Sequence, residues 1–202
     1  MKNNITTFIF DCFGVVCDSI LSNWYRYKSL KHGFVDENLK DVFRNFDLGI
    51  LSEEDLADYF SKYEGIKSTK EEIQKEIDGY LKVNQNLVNT IKKLKSHGFK
   101  TVLLSNGNHS FFERKIFKDY PEFPGLFDEV VISSKIGLVK PDAEIYLHAL
   151  EKINSKPKES LFIDDRQINV DGAISIGMKG YVYSDSTSFY KYLKNMGINL
   201  TD

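Results

Sequence analysis

Four short stretches hold the residues able to do chemistry: Asp11 closing TTFIFD, Ser105-Asn106-Gly107, Lys140 in GLVKPD, and the Asp164-Asp165 pair. Three carboxylates brought into one crevice repel, and they cannot all stay ionised unless a cation lies among them. Mg²⁺ resolves this, because it takes oxygen ligands, keeps several waters and is held by one or two carboxylates plus a substrate phosphate. Asp11 and Asp165 suit that half-filled set of ligands, with Asp164 bound to the ion or standing just behind it. The remaining groups are those a phosphoryl group needs. Lys140 supplies a compact positive charge, Ser105 a hydroxyl, and Asn106 with Gly107 backbone N–H groups at a strand-to-helix turn. A carboxylate facing a phosphate so held can attack phosphorus, giving an aspartyl-phosphate that water must hydrolyse.

These residues have to be positioned by elements, and the elements are legible in the apolar pattern. Runs at 6–10, 100–105, 129–133, 160–164 and 180–184 read as buried strands, and amphipathic segments at 108–117, 142–153, 168–176 and 187–196 as helices. Strand-helix alternation predicts an α/β fold, a doubly wound parallel sheet covered on both faces. Ligands of such sheets bind beyond the carboxyl ends of the strands, which is where the four stretches fall. One interval breaks the rhythm. Residues 17–84 contain no convincing strand, and their three- and four-residue apolar spacing predicts an inserted helical unit, leaving 1–16 and 85–202 as the core. Ser52 with Asp55 resembles a capping box, and Asp18-Ser19 reads as the N-cap of the first inserted helix.

Composition narrows the classes of partner. A formal charge of −2 and a pI near 6.1 give no general electrostatic attraction for nucleic acid or an anionic membrane, so an anion has to be held locally. The opening apolar run is too short for a signal segment and no stretch approaches a membrane span, which predicts a cytoplasmic protein. Cys12 and Cys17 lack metal-site spacing. Strand alternation would point Cys12 away from Asp11, so a packed thiol is expected in preference to a nucleophile.

Taken singly, each motif has an ordinary structural use as a turn, a helix entry or a solvated loop. Their order and spacing go further. D-x-x-G-V-V, then LLSNGN, then SSKIGLVKPDAEIYLHAL, then LFIDDRQINVDGAISIGM resemble the four motifs of the haloacid dehalogenase superfamily of hydrolases. The second half is similar to the branch holding glucose-1-phosphatase-type enzymes and the amino-terminal phosphatase domain of soluble epoxide hydrolases. The resemblance implies a Rossmann-like core with a helical cap inserted at 17–84. It assigns Asp11 as nucleophile, Ser105 and Asn106 as phosphate-binding pair, Lys140 as motif lysine, and Asp165 as metal ligand with Asp164 before it. It also implies that the backbone carbonyl of Phe13 binds the metal.

Phe13 is the departure. Most phosphatases of this superfamily carry an Asp there that protonates the leaving group, help typically worth ~10²–10⁴-fold. The aromatic is similar to the D-x-Y-G-T of the 2-haloacid dehalogenases, which attack carbon without metal. Those carry small hydroxyl residues where this chain has Asp164-Asp165, and without Mg²⁺ that pair would repel a haloacid carboxylate. The expectation is therefore a Mg²⁺-dependent phosphatase of a small phosphate ester. A dehalogenase-like hydrolase, or a lapsed module that binds a phosphometabolite or a partner, stands as the alternative. Tyr25, Tyr27, Lys28, Arg44 and Phe46 are the insert's candidates for contacting a leaving group.

Overall fold

The computed structural model describes residues 4–200, so the outermost residues of the two predicted core spans, 1–3 and 201–202, lie outside it. Five parallel strands, β1 (Thr7–Phe10), β2 (Lys100–Ser105), β3 (Glu129–Ile132), β4 (Ser160–Asp164) and β5 (Lys179–Val182), form one sheet in the order β3-β2-β1-β4-β5. β1 is wholly buried, with three apolar residues after Thr7, because both faces are covered. Phe8 and Phe10 pack on one side with Leu103, Leu161 and Ile163, and Ile9 packs on the other with Val102, Leu104 and Phe162. The chain runs outward from β1 through β2 to β3, then returns to β1's free edge as β4. The reversal leaves a crevice beyond the carboxyl ends of β1 and β4.

Between β1 and β2 lie α1 (Ile20–His32), α2 (Leu39–Asp47), α3 (Glu53–Ser61) and α4 (Lys70–Asp78), followed by α5 (Gln85–Ser96), which lies on the sheet. The chain leaves and re-enters the core at one place, where Asp18 N–H donates to the Lys82 carbonyl and Asn84 N–H to the Val16 carbonyl. The inserted helices share an aromatic interior in which the Trp24 and Phe60 rings are 4.7 Å apart. The Ser52–Asp55 capping box is present, and Thr69–Glu72 forms a second. Ser19 does stand at the N-cap of α1, but its side chain caps nothing.

Beyond β2 come α6 (His109–Phe111), a π turn (Phe112–Ile116) and α7 (Phe117–Asp119), where the sequence predicts one helix over 108–117. The π turn accommodates one residue more than a regular turn, and the consecutive Phe111 and Phe112 are both buried. A three- and four-residue apolar pattern carries no mark of such an insertion. β3 stops at Ile132, one residue short of the predicted 133, because Ser133 begins α8 (Ser133–Ile136). α9 (Ala143–Lys152) and α10 (Gln167–Ser175) cover the Ile9 side of the sheet; α11 (Ser186–Asn195) joins α5 on the other. β5 spans 179–182, not 180–184. No helix is long and apolar enough to cross a membrane among the described residues.

Candidate active site

Asp11 extends β1 by one residue. Its N–H donates to the Ile163 carbonyl at 2.8 Å, which stands the carboxylate at the seam between β1 and β4. Lys140, after α8, drives its ammonium into that seam, donating to Asp11 Oδ1 at 2.6 Å and Asp164 Oδ2 at 2.8 Å, with the face of Phe162 5.3 Å from Nζ. All three groups are buried. Burial works against the lysine's charge, but the two carboxylates outweigh it and hold its pKa above the ordinary value. Burial also pushes Asp11 up to about 8, Lys140 pulling it down and the charge of Asp164 adding to the rise.

The two adjacent acids differ sharply. Asp164 has both oxygens occupied, by Lys140, by the Arg166 N–H at 2.9 Å, and by Asn169 Nδ2 at 3.0 and 3.1 Å. The Asp165 carboxylate takes no hydrogen bond from another of the described residues, and its pKa is raised by burial and by its neighbour's charge. It lies against Gly14, whose φ of +96° suits glycine and where a Cβ would stand 2.3 Å from Asp165 Oδ2. One oxygen from each of Asp11, Asp164 and Asp165 falls within 4.8 Å of the others. Three carboxylates against one ammonium leave an excess of negative charge, and the lone pairs still open belong to Asp11 and Asp165. That donor set, hard, anionic and all-oxygen, fits a divalent cation such as Mg²⁺.

At the end of β2, Ser105 is fully buried and its hydroxyl donates to the Asn106 carbonyl at 3.2 Å. The Asn106 side chain is committed to Lys140, donating to its carbonyl at 3.0 Å and accepting its N–H at 2.9 Å, so it fixes the lysine's backbone. The Gly107 N–H, expected to face an anion, is instead given to Ser133 Oγ at 3.0 Å; a serine entering α8 reaches it first. The groups left for an anion are backbone amides: among the described residues the N–H of Cys12, Phe13 and Asn106 make no hydrogen bond. Phe13 turns its ring away into an aromatic cluster, 5.5 Å from Phe112 and 6.1 Å from Phe111, and sits so close to Gly107 that a Cβ there would lie 2.9 Å from it. Cys12 is buried, and burial holds its thiol pKa well above the usual range, so it packs and is not poised as a thiolate.

Above these residues lies a cavity of about 810 Å³ whose floor includes Asp11, Phe13, Asn106, Lys140 and Asp165 and whose roof is built from α1 to α4. Of the insert's candidates, Arg44 and Phe46 line it. Tyr25, Tyr27 and Lys28 do not. Lys28 is taken up by Glu76 at 2.8 Å, and Tyr25 Oη accepts the Asp36 N–H at 3.0 Å. Three residues in the neighbourhood escape the sequence reading: Ser133, Asn169 and Asp47. Asn169 had a signal, as the asparagine of F-I-D-D-x-x-x-N, one helical turn into α10. Ser133 and Asp47 had none, since only the tertiary fold brings them here.

Residues 5–177 match the family of haloacid dehalogenase-like hydrolases. The chain is 29% identical over 166 residues to flavin mononucleotide hydrolase 1 of Arabidopsis thaliana, covering 79% of this chain and 64% of that protein. It is 31% identical over 122 residues to glyceraldehyde 3-phosphate phosphatase of Pyrococcus furiosus, covering 60% and 47%. The aligned stretch thus spans about half to two thirds of these relatives' lengths. Among solved structures, a HAD family enzyme of Bacteroides thetaiotaomicron superposes with a TM-score of 0.74 at 21% identity, covering 89% of this chain and 94% of that one. That enzyme has also been crystallised with magnesium and inorganic phosphate.

Proposed function

The chain belongs to the haloacid dehalogenase-like hydrolases, and from that we propose that it is a Mg²⁺-dependent phosphatase of a small phosphate monoester, with Asp11 as the nucleophile. The observation that carries this reading is Lys140 wedged between Asp11 and Asp164 while Asp165 keeps its lone pairs free. Lys140 orients Asp11 for attack on phosphorus and favours its charged form against the burial that opposes it. Asn169 and the Arg166 N–H hold Asp164 so that it in turn fixes Lys140. The backbone amides of Cys12, Phe13 and Asn106 receive the phosphoryl oxygens, and the Ser105 hydroxyl joins them by turning from the Asn106 carbonyl. Mg²⁺, held by Asp11, Asp165 and the Phe13 carbonyl, would screen the phosphoryl charge against the carboxylates. Helices α1 to α4 act as a cap that excludes water and selects the alcohol to be released. The phosphatases among the relatives support the same direction.

The test is hydrolysis of p-nitrophenyl phosphate and a broad phosphometabolite panel in Mg²⁺, with Asp11→Asn as control. Turnover should appear and fall by roughly 10⁴-fold or more in the variant. Activity that survives Asp11→Asn would overturn the mechanism. Halide release from 2-chloropropionate in EDTA would favour the dehalogenase instead. Stabilisation by Mg²⁺ and phosphate with no product at high protein concentration would indicate a lapsed binding module.

A further inference from the structure

Resting on the phosphatase reading, we propose that Asp47, at the last turn of α2, is the catalytic proton donor to the leaving-group oxygen, replacing from the insert the carboxyl that Phe13 removes from the core. Phe13 cannot exchange a proton, and its ring is held by Phe111, Phe112 and Gly107. A donor has to come from another wall of the same cavity. The insert contributes four acids to that wall: Asp36, Glu37, Asp47 and Glu53. Asp36 is bound by the Tyr59 and Tyr63 hydroxyls, which hold it ionised. Glu53 is paired with Arg114 at 2.7 Å and accepts from Ser110. Glu37 is exposed on the outer lip. Asp47 alone of the four is enclosed on most sides by protein, opens onto the cavity and has a carboxylate that takes no hydrogen bond among the described residues.

Its placement is built, not incidental. The Ser133 hydroxyl donates to the Asp47 carbonyl at 2.5 Å and accepts the Gly107 N–H at 3.0 Å, so the end of α2 is fastened through one side chain to the strand end that carries Ser105. The charges acting on the carboxyl are Lys140 and Arg166 from the core and Arg44 one turn earlier on α2; none comes from α3 or α8, the elements packed against this helix. Burial pushes Asp47 up to about 7 against the pull of those three cations, which leaves it able both to give and to take a proton near neutrality.

The chemistry balances. As Asp11 Oδ bonds to phosphorus and the ester P–O bond breaks, the Asp47 proton passes to the departing oxygen and frees the alcohol. In the second half the Asp47 carboxylate takes a proton from water as the water oxygen bonds to phosphorus. The Asp11–phosphorus bond then breaks, inorganic phosphate leaves and Asp47 is protonated again.

The experiment compares phenyl phosphate with p-nitrophenyl phosphate, two aryl esters differing by one para-nitro group, whose leaving groups differ in their need for a proton. Asp47→Asn should lower kcat/KM for phenyl phosphate by ~10²–10⁴-fold and for p-nitrophenyl phosphate by less than about tenfold. Asp47→Glu should restore part of the phenyl phosphate rate. In the wild type, kcat/KM for phenyl phosphate should fall as pH rises through about 7, where the donor loses its proton, and Asp47→Asn should lack that fall. The thermal shift given by Mg²⁺ with inorganic phosphate should be the same in both proteins, which separates lost proton transfer from lost folding or binding. Equal losses on the two esters, no loss on either, or a lost thermal shift would overturn the assignment. A wild type that hydrolyses neither these esters nor any member of the phosphometabolite panel would remove the phosphatase reading, and this assignment with it.

Discussion

On the floor of the cavity, Asp11, Lys140 and Asp164 are buried and joined by hydrogen bonds of 2.6 and 2.8 Å. On the roof, Arg44 is half exposed, Glu37 is exposed and Asp47 has no side-chain partner among the described residues. On the proposed function, the difference follows from what each wall would have to do. A group that attacks phosphorus must be held in one geometry in a poorly polarisable site, where fixed charges act strongly and need no reorganisation. A group that meets the variable half of a substrate gains from freedom to move and from exposure to change. Substitutions should therefore cost much stability on the floor and little on the roof.

Lys140→Met should have the largest effect. It leaves two buried carboxylates without their shared cation, and removal of one partner of a buried pair costs about 3–5 kcal/mol. Urea unfolding at pH 7 measures this, and a loss below 1 kcal/mol would show that the floor is less dependent on charge pairing than its geometry implies. Next comes Gly14→Ala, which forces a side chain onto a φ of +96° and into the Asp165 carboxylate. The backbone strain and the clash together cost about 2–4 kcal/mol. The Mg²⁺ concentration giving half-maximal stabilisation in a thermal shift should rise, because Asp165 must move to admit the methyl group.

Much of the floor was legible because its chemistry is local to strand ends. An apolar run that stops at an acid, such as TFIFD or LFIDD, predicts both a buried strand and which carboxylate stands at the crevice beyond its end. The order of the motifs then indicated that those ends share one rim. The roof was not legible in the same way. Asp47 is one acid among many on amphipathic helices, and only the docking of α2 against Ser133 distinguishes it. Gly107 misled for a related reason: a glycine after a strand looks like an open amide, and the competing hydroxyl lies 26 residues further along the chain. The π turn at Phe112–Ile116 was hidden because periodicity averages over the extra residue.

Gly107→Ala probes the boundary between the two walls. Its new methyl group would lie 2.9 Å from the Phe13 ring and 3.3 Å from that of Phe112, an overpacking worth about 1–3 kcal/mol. Phe13→Leu shortens the obstructing side chain, so the double variant should recover part of the loss. A double-mutant cycle from urea unfolding should give a coupling of about 0.5–2 kcal/mol. Additive losses would mean that the glycine is required for a reason other than Phe13.

Arg44→Ala should have the smallest effect, although Arg44 bridges roof and floor by pairing with Asp142 at 3.0 Å. The side chains are 50% and 46% exposed, so solvent screens the pair and its worth is about 0.2–1 kcal/mol. The end of α2 has stronger fastenings in the bond from Ser133 and in the burial of Val42 and Phe46. The small loss in urea unfolding should shrink further in 0.5 M salt, where an exposed pair is screened over about 4–5 Å. A loss above 2 kcal/mol that persisted in salt would mean that roof and floor are joined by charge, and the contrast between the two walls would then fail at the point where they meet.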